Sequence, residues 1–412
     1  MIAQKNKLKQ LWTIFILVVF ISVAGCTSIT STSSEVKILD GWAVFQRKVR
    51  DVLILDGGII LLSNSAPQIG IGPENGKPYI IAFDLRTHKI IWKLEYAPIA
   101  PISTNSQKMF VLENDQFAAI DLEQGDEVWS IPFNAIDSPQ IFSDEDLVLV
   151  ANNQVLYAFD TQNGELQWTS DAQLPFDISF PNPTDFTSWR QHSALDKYGH
   201  IVFAREMITR NSKECQMLIA AVDAENGLEI WQHSFSLPVV SEGCLPGTLP
   251  LASNNEIVLI GILSGLSNEC TLNAFDINTG EIVWNYTGLI NCSTSSDFVF
   301  LNRQILVVTS SDILILDPRD GHLVSKLSLP LGRFHKLIST EGIIAAKASD
   351  LNQNTYQIMD LNDKKVYEFK LSLPRECDSQ TEIAGIADRE IIFVNGNCVQ
   401  AINISDGELI AK

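Results

Sequence analysis

Around Asn273 the chain alternates between apolar and polar in a compact unit. Leu272, Ala274 and Phe275 precede the acid Asp276, a polar tetrad ending in Gly280 follows, and Ile282-Val283-Trp284 form a second apolar run. Two short apolar runs parted by Asp, Asn and Gly predict a β-hairpin. The unit recurs: Ala82-Phe83-Asp84 leads to Trp92, Ala119-Ile120-Asp121 to Trp129, Ala158-Phe159-Asp160 to Trp168, and Ala221-Val222-Asp223 to Trp231. Three degenerate copies are anchored at Asp317, Asp360 and Asn403, which makes eight.

The anchors are separated by 37, 39, 63, 53, 41, 43 and 43 residues. A period near forty with four strand signals per unit is propeller spacing. In the first unit those strands are Asp51–Leu55, Gly58–Leu62, Tyr79–Phe83 and Lys89–Trp92. A single unit cannot bury both faces of its sheet, so the units must close into a ring. The expected fold is therefore all-β, an eight-bladed β-propeller with four antiparallel strands (a to d) per blade, over residues 46–412. Ring closure calls for a clasp, since an unpaired edge invites aggregation. The apolar stretch 36–45 is the candidate ring-closing strand.

The polar tetrads read as turns. Gly stands four residues after the anchor at Gly125, Gly164, Gly227, Gly280, Gly321 and Gly407, where positive φ is cheap for it. Asp84, Asp121, Asp160, Asp223, Asp276, Asp317 and Asp360 are expected to accept hydrogen bonds from their own turn amides, as structural pins and not as catalysts.

The meander also sorts the connections. Turns a–b and c–d share one face, and turns b–c and crossings d–a share the other. The tight Asp-x-x-x-Gly corners are all c–d turns. The long segments 63–77, 171–190, 207–216 and 236–250 are all b–c or d–a. One face is trimmed and the other elaborated, and binding functions favour loops on a rigid scaffold.

The first residues change the picture of where the protein works. Lys5, Lys7 and Lys9 precede an apolar segment, Leu11 to Val23, that is short for a membrane span. It ends Val23-Ala24-Gly25-Cys26. This resembles the lipobox of bacterial lipoproteins, which implies a signal peptide over 1–25 and a lipidated N-terminal Cys26. Residues 27–35 are a polar tether with nothing to pack. The expected location is extracytoplasmic, lipid-anchored to a bacterial membrane, in the periplasm or at the cell surface. The formal charge of −20 becomes −23 without the three leader lysines. So acidic a chain argues against nucleic acid and against electrostatic attachment to anionic lipid. A monomer is expected.

Six cysteines remain after Cys26: Cys215, Cys244, Cys270, Cys292, Cys377 and Cys398. An oxidising compartment suits disulfides, and six cysteines allow fifteen pairings. All six fall in or beside b–c or d–a segments. Pairs 215–244, 270–292 and 377–398 would each tie a blade to its neighbouring crossing. No C-x-x-C spacing supports a metal site.

The eleven-residue pattern Ala-x-Asp-x-x-x-Gly-x-x-x-Trp resembles the tryptophan-docking repeat of the pyrroloquinoline-quinone (PQQ) propeller superfamily. It is clearest at Ala119–Trp129, Ala158–Trp168, Ala221–Trp231 and Ala274–Trp284. The resemblance implies that Trp92, Trp129, Trp168, Trp231 and Trp284 dock against the adjacent blade and tie the ring together. Ser325, Glu368 and Ala411 take the Trp place in the last three copies.

That superfamily includes quinoprotein dehydrogenases as well as non-enzymatic lipoproteins of the BamB type. A quinone-dependent enzyme would need a calcium site, a carboxylate base and groups stacked on the quinone. The chain has no Cys-Cys pair, and its compact blades leave little room for pocket-building insertions. Asp276-Ile277-Asn278-Thr279-Gly280 echoes a calcium loop, but position twelve is Thr287 and not Glu. The expectation is a scaffold without enzymatic activity, cofactor or metal, binding an envelope protein. The alternative is a PQQ-dependent dehydrogenase or a propeller binding a sugar or quinone. The candidate contact residues lie in the crossing from blade 3 to blade 4: Phe176, Phe180, Phe186, Trp189 and Arg190, of which Trp and Arg are favoured interface anchors.

Overall fold

The computed structural model describes residues 36–39, 42–45, 49, 51–55, 58–63, 78–100, 102–113, 115–135, 139–152, 155–170, 193–195, 200–208, 215–237, 239–240, 243–244, 248–254, 256–264, 269–290, 298–301, 303–309, 312–328, 334–340, 342–348, 355–361, 365–377, 381–387, 389–406 and 408–411. Among these residues the protein is nearly all strand, with eight antiparallel sheets of four or five strands each. No helix among them is long and apolar enough to cross a membrane. The protein is an all-β propeller.

Blade 1 shows how the pattern becomes a blade. Its strands are Asp51–Ile54, Ile59–Ser63, Ile80–Asp84 and Lys89–Leu94, paired in chain order. Successive residues of a strand point to opposite faces of its sheet, and here both faces are interior. Ile60 and Leu62 pack towards the last blade, whereas Leu61 packs towards blade 2. The runs before each anchor are therefore apolar throughout. The outermost strand fully buries only Trp92 of its residues; Ile90 and Leu94 are partly buried against the seams, and Lys89, Ile91 and Lys93 face solvent at the rim.

The d strands of blades 1 to 6 share a bulge that the linear pattern conceals. In blade 5, Ala274 faces Trp284 and Phe275 faces Ile282, which leaves Val283 without a partner. Ile91, Val128, Gln167, Ile230 and Val324 are skipped in the same way. One extra residue bends and twists the strand. It turns the indole inward and leaves apolar residues such as Ile91, Val128 and Val283 exposed at the rim. Blade 7 has no such bulge: Ile358 faces Tyr367, and Glu368 faces Gln357. Tyr367, not Glu368, stands opposite the Ala position there, and it packs into the seam between blades 7 and 8.

Ring closure differs from the repeat pattern at one point. The last repeat assigns Glu408–Ala411 to strand d of blade 8. Instead it pairs with Lys365–Lys370 as a fifth strand of blade 7. Strand d of blade 8 comes from the other end of the chain: Trp42–Phe45 pairs with Cys398–Asn403, and Val36–Leu39 covers it as a fifth strand. Ala43 and Phe45 pack on blade 1, while Trp42 and Val44 pack on blade 7. One short strand thus fills two seams. The expected clasp is in place, and the terminal strands also cover the open edges of blades 7 and 8.

Candidate interaction face

Both faces of the propeller can be placed from backbone hydrogen bonds. In blade 2, Leu122 N–H of the c–d turn donates to Gln107 O of the a–b turn, and Thr161 to Asp146, Ile277 to Glu256 and Leu361 to Gly342 repeat this bond in other blades. These two turns therefore share the trimmed face.

The anchor carboxylates on that face, Asp360 apart, are engaged in their own turns. Asp121 accepts from the N–H groups of Glu123 (2.9 Å) and Gln124 (2.8 Å), and Asp276 from those of Asn278 and Thr279 (both 2.9 Å). Asp84, Asp160, Asp223 and Asp317 accept from the amides of Arg86, Gln162, Glu225 and Arg319 in the same manner. At Asp84, burial opposes ionisation, but hydrogen bonds from Thr87 and Arg86 outweigh it and hold the pKa below its usual value. Asp360 is different: it is fully buried, and its carboxylate takes Arg389 Nη2 of blade 8 at 2.9 Å.

Asp317, Asp320 and His322 place their ligand atoms within 4.8 Å of one another at the corner of blade 6. Both carboxylates have a partner within the turn. Arg319 Nη2 lies 2.6 Å from Asp317, and His322 Nδ1 lies 2.6 Å from Asp320. The Arg319 hydrogen bonds hold the Asp317 carboxyl far below the ordinary carboxylate range, and His322 lowers Asp320. Asp317 is half-buried, Asp320 and His322 are exposed, and the group closes its own turn.

The elaborated face is built by blades 4 and 5. Strands b, c and d of blade 4 (His200–Ile208, Cys215–Asp223, Glu229–Leu237) have nine residues each. Their counterparts in blade 3 (Leu147–Asn152, Val155–Asp160, Leu166–Thr169) have six, six and four. In blade 5 they have eight, eight and nine (Ile257–Ser264, Glu269–Asp276, Ile282–Ile290). Each c strand ends at its anchor Asp, so the additional residues all lie at the b–c end. At ~3.3 Å per residue, three more residues raise blade 4 by about 10 Å above blade 3. The crossing between blades 4 and 5 adds a small hairpin on this side, Val239–Val240 with Gly243–Cys244.

The predicted contact residues Phe176, Phe180, Phe186, Trp189 and Arg190 lie outside the described residues, as do Cys26 and residues 1–35. They belong to the crossing that enters blade 4 at Ser193–Leu195. Cys377 and Cys398 form a disulfide with their Cα atoms 5.7 Å apart. Cys292 and the side chains of Cys215, Cys244 and Cys270 lie outside the described set, so the pairs 215–244 and 270–292 have no described counterpart.

The five predicted docking tryptophans each reach the next blade. Trp92, Trp129, Trp168, Trp231 and Trp284 donate Nε1–H to the carbonyls of Leu122, Thr161, Ala224, Ile277 and Pro318, at 2.7–3.0 Å. Every acceptor is the residue directly after an anchor Asp. Two contributions to the docking were not read from the sequence pattern. The turn glycines are the floor on which the indoles lie: a Cβ on Gly164 would come within 2.7 Å of Trp129. The turn of blade 1 carries His88 at the Gly position with φ 55°, and the preceding blade supplies no docking Trp. Trp42 is the second, fully buried with Nε1–H bonded to Ser372 O at 3.0 Å. Its only signal was an apolar run outside the repeats.

These features place the chain among known proteins. The sequence profile of the outer membrane protein assembly factor BamB matches residues 76–206 and 182–340, together more than half of the chain. The chain belongs to the BamB family. None of the curated proteins compared matches this BamB-family chain in sequence. Among solved structures, BamB from Moraxella catarrhalis shares 15% identity over 76% of this chain and 93% of its own, with a TM-score of 0.43. The WD40 domain of SCAP from fission yeast shares 10% over 90% and 98%, with a TM-score of 0.54. The dihydro-heme d1 dehydrogenase NirN shares 10% over 81% and 70%, with a TM-score of 0.51. At 10–15% identity these likenesses concern the fold alone.

Proposed function

We propose that this BamB-family propeller is a non-enzymatic, lipid-anchored scaffold of the bacterial cell envelope, holding a protein partner that takes part in outer membrane protein assembly. The observation that carries the reading is the one-sided elaboration of the ring. By strand length blade 4 rises about 10 Å and blade 5 about 7 Å above blade 3 on the b–c side, whereas the anchor carboxylates of the opposite face, Asp360 apart, accept from their own turn amides. A rigid ring with one raised sector holds its strand ends at fixed geometry, which lowers the ordering cost of binding. The leader and Cys26 supply the anchor in this reading, and the crossing with Trp189 and Arg190 supplies the contact anchors.

The test is affinity capture after cross-linking in intact cells, comparing the natural chain with a Trp189→Ala, Arg190→Ala double variant. The expected result is one outer-membrane assembly protein captured by the natural chain and lost in the variant. Equal capture by both removes the crossing from the binding face. Capture of nothing by either returns weight to a small molecule in the ring, to be sought with sugars and quinones.

A further inference from the structure

The N-terminal strands fix the side of the ring from which the chain leaves towards Cys26. Phe45 N–H donates to Asn397 O in the b–c turn of blade 8 at 2.8 Å, and Asn397 Nδ2 returns a bond to Phe45 O at 2.8 Å. Val49 N–H donates to Gly396 O in the same turn. Phe45 therefore lies at the elaborated face. The outer strand runs antiparallel to it, with Val36 opposite Phe45 and Leu39 opposite Trp42. Val36 is thus at the elaborated face too, and the chain preceding it departs from that side.

Nine residues, 27–35, separate Cys26 from Val36. A chain of that length spans at most about 32 Å. A six-residue blade strand such as Gln116–Asp121 already covers about 20 Å from one face towards the other. Presenting the trimmed face to a bilayer would use most of the chain in running down the rim.

We infer that the propeller is held with its elaborated face towards the membrane, so that the raised ends of blades 4 and 5 meet a protein embedded in, or rising from, that same membrane. This rests on the lipid-anchored reading of Cys26. The anchor leaves from blade 8, and the raised blades stand across the ring from it. The partner's place is the space bounded by the anchored rim, the raised blades and the lipid surface. The acidic ring has no electrostatic attraction to anionic headgroups that would collapse this space.

The test compares two positions in one blade. Asp115 is exposed in the b–c turn of blade 2, and Gln124 is exposed in its c–d turn. A fluorescent amino acid is placed at either position in the full lipidated chain, which is reconstituted in phosphatidylethanolamine–phosphatidylglycerol vesicles carrying an acceptor dye on the headgroups. Energy transfer from position 115 should exceed that from position 124 at least two-fold. Equal transfer, or greater transfer from 124, overturns the inference. Flotation with the vesicles is scored separately, with Cys26→Ser as the control. A chain that does not float overturns the anchoring reading and this inference with it, whereas a chain that floats with equal transfer overturns the orientation alone.

Discussion

Trp231 lies directly on Gly280: a Cβ at Gly280 would stand 2.5 Å from the indole Cδ2. The same turn lends the Ile277 carbonyl to the Trp231 N–H at 2.8 Å. One residue type thus meets two demands, a φ of 70° and a flat floor for the ring. Gly280→Ala should cost about 1–2 kcal/mol for the left-handed backbone and a further ~1–3 kcal/mol for overpacking. Gly58→Ala is the control. Its φ is 78°, but the nearest atom is Nε of the flexible Arg86 side chain at 3.1 Å. Denaturant melts should show the larger loss at Gly280. In a Trp231→Ala background, Gly280→Ala should lose most of its excess cost, and strict additivity would refute the coupling.

This pairing shows where the sequence was legible and where it was not. The Asp, Gly and Trp positions repeat at constant spacing, so hairpins, turns and blades could be read locally. That Gly of one blade serves Trp of the preceding blade is a relation across 33–59 residues, which no single copy reveals. The bulge before each Trp was hidden because a skipped residue leaves the spacing unchanged. The exchange of terminal strands was illegible for a further reason. The segment 408–411 suits either edge by pattern, and tertiary pairing decides between them. Of the candidate site, the elaborated face followed from counting turns, while the extra height of blades 4 and 5 depends on pairing that short apolar runs do not specify.

Trp42 should matter as much as any docking tryptophan, although it lies outside the repeats. It is fully buried among Tyr356, Phe369 and Leu371 and donates to Ser372 O. Trp42→Ala should destabilise the ring by about 3–5 kcal/mol. Trp42→Phe retains much of the packing but leaves the carbonyl unpaired, for a cost of ~1–3 kcal/mol. Hydrogen exchange should locate the loss in blades 7 and 8. Uniform loosening around the ring would contradict the view of Trp42 as a local clasp.

The Cys377–Cys398 bridge closes a loop with a sequence separation of 21 at the same seam. By the chain-entropy relation, such a loop is worth about 3 kcal/mol. The Cys377→Ala, Cys398→Ala double variant should fall by this amount in a denaturant melt. Paired with Trp42→Ala, the loss should depart from additivity, because both act on one cluster. A bridge variant as stable as the natural protein would remove the bridge from the list of ring closures.

Tyr356 makes the seam sensitive to alkali. Its hydroxyl donates to Thr381 O at 2.6 Å, and its ring meets Phe393 edge-on with centroids 4.8 Å apart. Burial, aided by the nearby Glu382 charge, pushes the phenol pKa above its ordinary value. The folded state therefore keeps a proton that the unfolded chain releases near pH 10. The stability contributed by Tyr356 is fully present below that pH and declines above it, at up to about 1.4 kcal/mol per pH unit. At pH 8, Tyr356→Phe should cost ~1 kcal/mol for the lost hydrogen bond. Between pH 10 and 11.5 that deficit should shrink and then reverse, because phenylalanine has no proton to lose. Melting temperatures of both proteins across pH 8–11.5 decide it, and parallel curves would show that Tyr356 ionises freely in the fold.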